Sequence, residues 1–94
     1  GTLVEVKTKQ TTCEPQGHYE CSVAQFNTGQ QCDAYAFVRV HLGQSIGWYL
    51  GMLSRETYYD KAVFRKKGWA DPSNGFIVKA NCYNVPISEL EWRG

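Results

Sequence analysis

The sequence has few of the features that would identify a membrane protein or a nucleic-acid-binding protein. No apolar run approaches the roughly 20 residues that a transmembrane helix requires. The 10 basic and 9 acidic side chains leave a formal charge of +1, which provides no positive field for phosphates or anionic lipids. Repeats and low-complexity segments are also missing. We therefore expect a folded chain with no membrane span and no nucleic-acid partner.

Patterns for metal binding are equally scarce. The cysteines lack the paired spacing of a structural zinc site. Several carboxylates occur in the second half of the chain without the spacing of a calcium loop; they are Asp60, Asp71, Glu89 and Glu91. We therefore predict no metal, no cofactor and no enzymatic activity.

The two histidines, His18 and His41, are the residues around which a catalytic site could be built. A small ribonuclease would use a histidine and a carboxylate as acid and base. The candidate carboxylates are Glu14, Glu20 and Asp33. The simpler interpretation places His18 in a loop and His41 on an exposed strand face. We favour the simpler interpretation and keep a ribonuclease acting through His41 as an alternative.

Four cysteines are the strongest indication of where the protein acts: Cys13, Cys21, Cys32 and Cys82. An even number in so short a chain is typical of a secreted domain with two disulfides. The alternative is four reduced thiols in a cytosolic protein. No Asn-x-Ser/Thr acceptor supports secretion independently. We predict two disulfides and a secreted, extracellular protein.

The spacing of the apolar side chains predicts a chain built mainly of strands. With 94 residues, 43% of them apolar, the chain fits one domain better than two. Thr57 to Lys67 fits a short helix about as well as a strand, and we prefer a strand. Alternation predicts the other strands at 3–9, 19–26, 34–42, 46–53, 76–82 and 85–92. The predicted fold class is all-β. We expect a six- to seven-stranded β-sandwich of two antiparallel sheets, crosslinked by two disulfides. Residues 19–94 form the predicted sandwich, and residues 1–18 are an amino-terminal extension.

Two local features refine this prediction. Asn27 to Gln30 has the composition of a turn, so the strands at 19–26 and 34–42 are predicted to form a hairpin. Gly47 and Gly51 lie on one face of the strand at 46–53. That thin face is easily approached by another segment of backbone.

The phases of the strands narrow the three possible cysteine connectivities. In the predicted hairpin Cys21 lies opposite about Ala36, so pairing it with Cys32 would break the register. Cys21 and Cys82 each lie on the apolar face of a predicted strand, where a bridge could cross the core. Cys13 and Cys32 lie just outside strands. We therefore predict Cys21–Cys82 and Cys13–Cys32 bridges.

The strand at 34–42 has two different faces. One face supplies the apolar residues that a core needs: Ala34, Ala36, Val38, Val40 and Leu42. The other carries two aromatics and an arginine, which are typical interface anchors; its members are Tyr35, Phe37, Arg39 and His41. We predict that this second face binds a partner. The alternative is that a second sheet or the amino-terminal segment covers Tyr35 and Phe37, leaving Arg39 and His41 exposed.

The one local basic cluster is Arg65-Lys66-Lys67-Gly68-Trp69, which Lys79 could join. Trp69 could stack on a base or a sugar ring. Charge runs are usually solvated, so we favour a solvated strand end with Trp69 folded back over the core.

Three segments together resemble the MAX effectors of fungal plant pathogens, which include rice-blast avirulence proteins and ToxB-like toxins. These segments are Tyr19-Glu20-Cys21 at the start of a strand, 34–42 as its partner, and 75–82 ending in a cysteine. The resemblance covers residues 19 to 92, and the extension at 1–18 and the long stretch from Trp48 to Gly75 depart from it. It implies a small secreted six-stranded sandwich with a bridge in the place where Cys21 and Cys82 fall.

The same resemblance implies a virulence function, with translocation into or action near plant cells and binding of host proteins. Our hypothesis is a secreted, monomeric, effector-like protein that binds a host protein through a strand face or an edge strand. A small secreted ribonuclease-like protein is an alternative, because Tyr19-x-Cys21 is similar to the Tyr-x-Cys of ribonuclease-like mildew effectors. A carbohydrate-binding or toxin module is a second alternative function. A protease inhibitor or a structural domain is a third.

Overall fold

Six strands in two three-stranded sheets form most of the regular structure in the computed structural model, which describes residues 2–25, 29, 31–72 and 75–92. The prediction of a mainly β chain is confirmed. Among the described residues no helix is long and apolar enough to cross a bilayer. The elements in chain order are β1 (Val4–Gln10), β2 (Glu20–Ala24), β3 (Ala34–His41), β4 (Ile46–Ser54), α1 (Arg55–Lys61), β5 (Val63–Arg65) and β6 (Cys82–Pro86), with 3-10 turns at Leu42–Gln44 and Ile87–Glu89.

The first sheet has the order β1-β3-β4. Strand β4 is antiparallel to β3, but β1 is parallel to it, with Val4 opposite Ala34 and Gln10 opposite Val40. The prediction of purely antiparallel sheets is therefore wrong at this pair. Parallel neighbours need a long crossover connection, and the segment that contains β2 provides it. The predicted amino-terminal extension thus supplies an edge strand of a sheet.

The second sheet has the order β2-β6-β5 and is antiparallel throughout. The predicted hairpin of 19–26 with 34–42 is wrong, because β2 pairs with β6 while β3 belongs to the first sheet. Of the predicted turn, Asn27, Thr28 and Gln30 lie outside the described residues. Both predicted strands exist, so what the sequence interpretation missed was the choice of partner.

The preferred strand at Thr57 to Lys67 is wrong in its first half, where α1 forms, and right at β5. The Ser54 hydroxyl accepts a hydrogen bond from the Thr57 amide at 3.2 Å and caps the helix. Glu56 in the first turn and Lys61 in the last turn complement the helix dipole. These start and stop signals are present in the sequence and identify the helix.

The two carboxy-terminal strand predictions are largely wrong. Of the strand predicted at 76–82, Ile77 forms an isolated bridge with Ala70, and Cys82 begins β6. Of the strand predicted at 85–92, Val85 and Pro86 complete β6, and a 3-10 turn follows. The loop before β6 is instead held by backbone hydrogen bonds of a hairpin type, such as Val78 N–H to the Trp69 carbonyl at 2.9 Å.

Gly51 admits another backbone, but the thin face predicted for β4 does not form, because Gly47 lies opposite Val40 and Gly51 opposite Phe37, on different faces of β3. Its φ is +129°, and a β-carbon there would lie 2.9 Å from the carbonyl oxygen of Glu91. Met52 and Glu91 exchange backbone hydrogen bonds of 2.8 and 3.0 Å at this place. The register of β4 against β3 also shifts between Phe37 and Val38, which marks a bulge.

One core cluster joins both sheets and the helix. The buried Tyr58 of α1 lies at its centre, stacked on Phe37 with 5.6 Å between the ring centroids. Because a short helix has little stability alone, this packing explains why α1 is stable. The members of the cluster are Cys21, Val23, Tyr35, Phe37, Leu53, Tyr58 and Val85.

The two predicted disulfides are not formed, and all four cysteines are free thiols. Cys21 lies opposite Val85, whereas Cys82 lies opposite Ala24, so they are three positions apart along the ladder, roughly 10 Å. A disulfide tolerates about 7 Å between α-carbons. Cys13 follows β1 and Cys32 precedes β3. Since these strands are parallel, the two cysteines lie at opposite ends of the sheet.

Candidate functional site

The two faces of β3 are inverted relative to the prediction. Tyr35, Phe37 and Arg39 have 0%, 3% and 6% of their surface exposed, and only His41 of the predicted binding face is partly accessible. The premise that this face is free to anchor a partner is therefore wrong for the first three residues. Periodicity separates two faces but does not say which one is buried. Aromatic rings fill the space toward the other sheet better than alanine and valine do.

The opposite side of the β1-β3-β4 sheet is called the outer face here. Residues paired across the strands share one side of the sheet, so register and alternation define its members. They are Val4, Val6, Thr8 and Gln10 of β1, Ala34, Ala36, Val38 and Val40 of β3, and Gly47, Tyr49, Met52 and Ser54 of β4.

The outer face is mainly apolar, with Thr8, Gln10 and Ser54 as its polar members, and carries no charged residue. Val4, Val6 and Tyr49 are 42%, 56% and 40% exposed. Ala36 lies between Val6 and Met52, and its small side chain leaves a shallow trough along the middle strand. The charged residues of the first sheet's strands lie on the side toward the core: Glu5, Lys7, Lys9 and Arg39.

Strand β1 lies at one end of its sheet, next to the outer face. An edge strand presents backbone donors and acceptors that can pair with another chain. Asp33 positions the start of this strand, because its carboxylate accepts a hydrogen bond from the Leu3 amide at 2.8 Å. The outer face and the β1 edge together form a continuous candidate surface.

A cleft lies between β1 and β3 on one side and β2 with residues 69–71 and 75–80 on the other. It consists of a polar chamber of about 650 Å³ and an adjoining apolar chamber of about 320 Å³. Such volumes are typical of small-molecule sites. Six residues line both chambers: Lys9, Glu20, Ser22, Arg39, Phe76 and Val78.

Two cations lie in this shared wall. The guanidinium of Arg39 donates to the Glu20 backbone carbonyl at 2.9 Å and lies 5.7 Å from the Tyr19 ring. The ammonium of Lys9 lies 3.8 Å from the centre of the Phe76 ring. Burial and the neighbouring Arg39 charge lower the pKa of Lys9. The cleft therefore concentrates positive charge at one point.

The residues of the ribonuclease alternative are only partly brought together. His41 and Glu20 both line the polar chamber. However, His41 Nδ1 accepts a hydrogen bond from the Gln44 amide at 3.2 Å, and the Glu20 carboxylate pairs with Arg65 at 3.1 Å. His18 lies in an exposed turn with its ring edge-on to Tyr19. RNA cleavage stays a prediction.

A Gly-x-Ser-x-Gly pattern, which the sequence interpretation overlooked, occupies the connection from β3 to β4. Ser45, its central residue, has a left-handed backbone with φ of 53°. A nucleophile elbow needs a strand before the serine and a helix after it, whereas a second strand follows here. Within the described residues the Ser45 side chain has no hydrogen bond to a histidine. The pattern fits the geometry of a tight connection.

Among the residues that the structure describes, only Arg65 and Trp69 of the basic cluster are engaged within the protein through their side chains. Arg65 lies over the Trp69 ring at 4.0 Å and also pairs with Glu20. Trp69 is half-buried, in line with the favoured interpretation, while Lys66, Lys67 and Lys79 are exposed. One ring face that a base or sugar would need is therefore covered by Arg65.

In the part of the chain that the structure describes, no group of three or more His, Cys, Asp or Glu side chains could hold a metal ion. Comparison with known proteins finds no matching family model, no matching curated protein and no matching solved structure. Function therefore has to be argued from the geometry of the outer face, the β1 edge and the cleft.

Proposed function

We propose that this protein binds another protein through the outer face of the β1-β3-β4 sheet and the adjacent β1 edge. The partner presents an apolar, uncharged surface and an extended segment that pairs with β1. The observation that carries the proposal is an apolar sheet side without a charged residue and with valines and a tyrosine exposed. Exposed apolar patches of this kind usually mark interaction sites.

The absence of charge on the outer face favours a protein over the other macromolecules. Nucleic acid and anionic lipid are attracted by Lys and Arg, and the twelve outer-face positions contain neither. Aliphatic residues with one tyrosine are suited to a protein surface that loses its water on binding.

The small area of the outer face indicates why the β1 edge would also contribute to partner binding. Three strands about 4.8 Å apart and seven residues long cover roughly 300 Å². A stable interface takes about 800 Å² from each partner, so the outer face alone is too small. Backbone pairing along β1 would extend it and supply hydrogen bonds, as in recognition by strand addition.

The MAX-effector resemblance leads to the same class of function. We propose the two sheets as the layers of a sandwich, supported by six strands and by a core that both sheets share. Secretion, virulence and a plant host remain proposals. The four free thiols do not supply the support for secretion that two disulfides would give.

A pair of matched variants tests the proposal. Val6→Asp places a charge on the outer face, and Val63→Asp does the same on β5, an edge strand of the other sheet with 45% exposure against 56% for Val6. A photocrosslinking residue at Val4 would capture partners from plant-cell extract, which are identified, purified and measured by calorimetry. We expect Val6→Asp to weaken binding at least 10-fold and Val63→Asp to leave it unchanged.

Two results would contradict the proposal. One is equal affinity of the wild type and Val6→Asp for every purified partner. The other is equal loss in both variants while their NMR spectra remain folded.

A further inference from the structure

The guanidinium of Arg39 is a buried charge without an anionic partner among the described residues. Arg39 is 6% exposed, and the ion pairs found are Lys7–Glu5, Lys61–Glu89 and Arg65–Glu20. Burying a charge is costly unless an opposite charge or several hydrogen bonds compensate it.

The groups around Arg39 are dipoles rather than anions. They are the Glu20 carbonyl, the Tyr19 ring and the thiol of Cys21. Burial raises the pKa of Cys21 to about 11, so this thiol is neutral at physiological pH. The carboxylate of Glu20 is paired with Arg65 and not with Arg39.

Lys9 adds a second positive charge to the same wall, because the register of β1 against β3 places Lys9 beside Arg39. The buried Asp71 of the polar chamber provides a nearby negative charge that favours the charged form of Lys9. Lys7 and Lys79 also line the apolar chamber, and Lys7 is paired with Glu5. The local balance is therefore positive, which fits an anion.

The apolar chamber starts at Lys9 and Arg39. Beyond the residues shared by both chambers, its polar wall residues are Lys7, Thr8 and Lys79, and Leu50 and Phe37 form the part nearest the core. The other apolar wall residues are Ala24, Val38, Val78 and Ala80.

We propose that the cleft binds an amphipathic monocarboxylate, with its carboxylate between Arg39 and Lys9 and its apolar chain in the chamber lined by Phe37, Leu50 and Val78. This site lies on the core side of the first sheet, where Thr8 and Val38 of the outer face also reach its wall, and it does not depend on the proposed protein binding. The carboxylate supplies the missing counter-ion, and the chain displaces water from an apolar wall.

Titration of the whole chain with sodium decanoate, followed by calorimetry and by amide NMR shifts, tests this site. We expect decanoate to bind at least 10-fold more tightly than 1-decanol, which lacks the charge, and than sodium acetate, which lacks the chain. Shifts should be largest around Lys9, Arg39 and Val78. Equal affinity for decanoate and decanol would overturn the carboxylate site, and equal affinity for decanoate and acetate would overturn the apolar chamber.

Matched lysine variants locate the site. Lys9→Gln should weaken decanoate at least 10-fold, whereas Lys66→Gln, an exposed lysine outside both chambers, should not change it. Unchanged affinity in Lys9→Gln, with its spectrum folded, would overturn the proposal. Val6→Asp should bind decanoate like the wild type, which separates this site from the protein-binding surface.

Discussion

The hydroxyl of Tyr58 lies 2.9 Å from the backbone carbonyl oxygen of Cys21, to which it can donate a hydrogen bond across the core. The same hydroxyl lies 2.6 Å from the Tyr83 carbonyl. One helical side chain therefore contacts two adjacent strands, β2 and β6, while its ring stacks on Phe37 of the first sheet. This arrangement ties the short helix and both sheets together.

Replacing Tyr58 with phenylalanine should destabilise the fold by about 1–3 kcal/mol, because the Cys21 and Tyr83 carbonyls lose the one hydroxyl donor that they share while the ring packing is kept. For a chain of this size each kcal/mol lowers the melting temperature by about 4–8 °C. Thermal unfolding followed by circular dichroism measures the change. Tyr49→Phe, at a 40% exposed position, should stay within about 0.5 kcal/mol of wild type. Equal stability of the two variants would contradict the role of the Tyr58 hydroxyl.

Gly51→Ala should cost about 1–3 kcal/mol or more, because φ of +129° is strained for any other residue and the new methyl meets the Glu91 carbonyl at 2.9 Å. Gly47→Ala is the control on the same strand, since its nearest neighbours would lie at 3.5 Å. We expect it to be neutral within about 0.5 kcal/mol. Urea unfolding of both variants gives the comparison, and a neutral Gly51→Ala would mean that residues 90–91 do not pack on β4.

Thiol titration distinguishes the four free cysteines from the two disulfides predicted from sequence. Without reductant, denatured protein should react with four equivalents of a disulfide reagent. In native protein we expect exposed Cys13 to react first and buried Cys21 last, because a pKa of about 11 instead of 9.0 lowers its thiolate fraction about 100-fold. Cys13→Ser should remove the fast phase. A denatured chain with no reactive thiol would restore the disulfide prediction.

Alkaline pH should destabilise the protein through Cys21. The unfolded thiol loses its proton near pH 9.0, whereas burial raises the pKa of the folded thiol to about 11. The unfolded state therefore releases protons first, and the contribution is complete below pH 9.0 and lost as pH rises toward 11. We expect about 2 kcal/mol from this group at the upper end.

Urea unfolding at pH 9.0 and at about pH 11 measures this loss of stability. Burial also raises the pKa of Tyr58, which adds to the loss in the same direction. Cys21→Ala should show a smaller loss of stability than the wild type, and Cys13→Ser the same loss. A pH dependence identical in Cys21→Ala and wild type would exclude a buried, protonated Cys21.

Period-two patterns alone located β1, β2, β3 and β4 to within two residues. They could not locate β6, since Phe76 to Asn81 alternates in sequence but forms a loop, and a strand exists only where a neighbour offers its backbone. Helix α1 could have been recognised from Ser54, Glu56 and Lys61. Its two tyrosines, which suit a strand as well as a helix, obscured it.

The candidate sites depended on information that no single strand contains. Tyr35 and Phe37 had the composition of an exposed interface, and their burial was decided by the second sheet and α1. The parallel pairing of β1 with β3 placed Lys9 beside Arg39, and nothing local to either residue predicts this.

The sequence by itself determined a mainly β chain, the extent of its first strands and the division of β3 into two faces, because these follow from alternation between neighbours in the chain. The tertiary structure decided which face is buried, which strands pair and where the cysteines lie. These depend on contacts between residues far apart in sequence, whose free energies appear only when two sheets and a helix share one core.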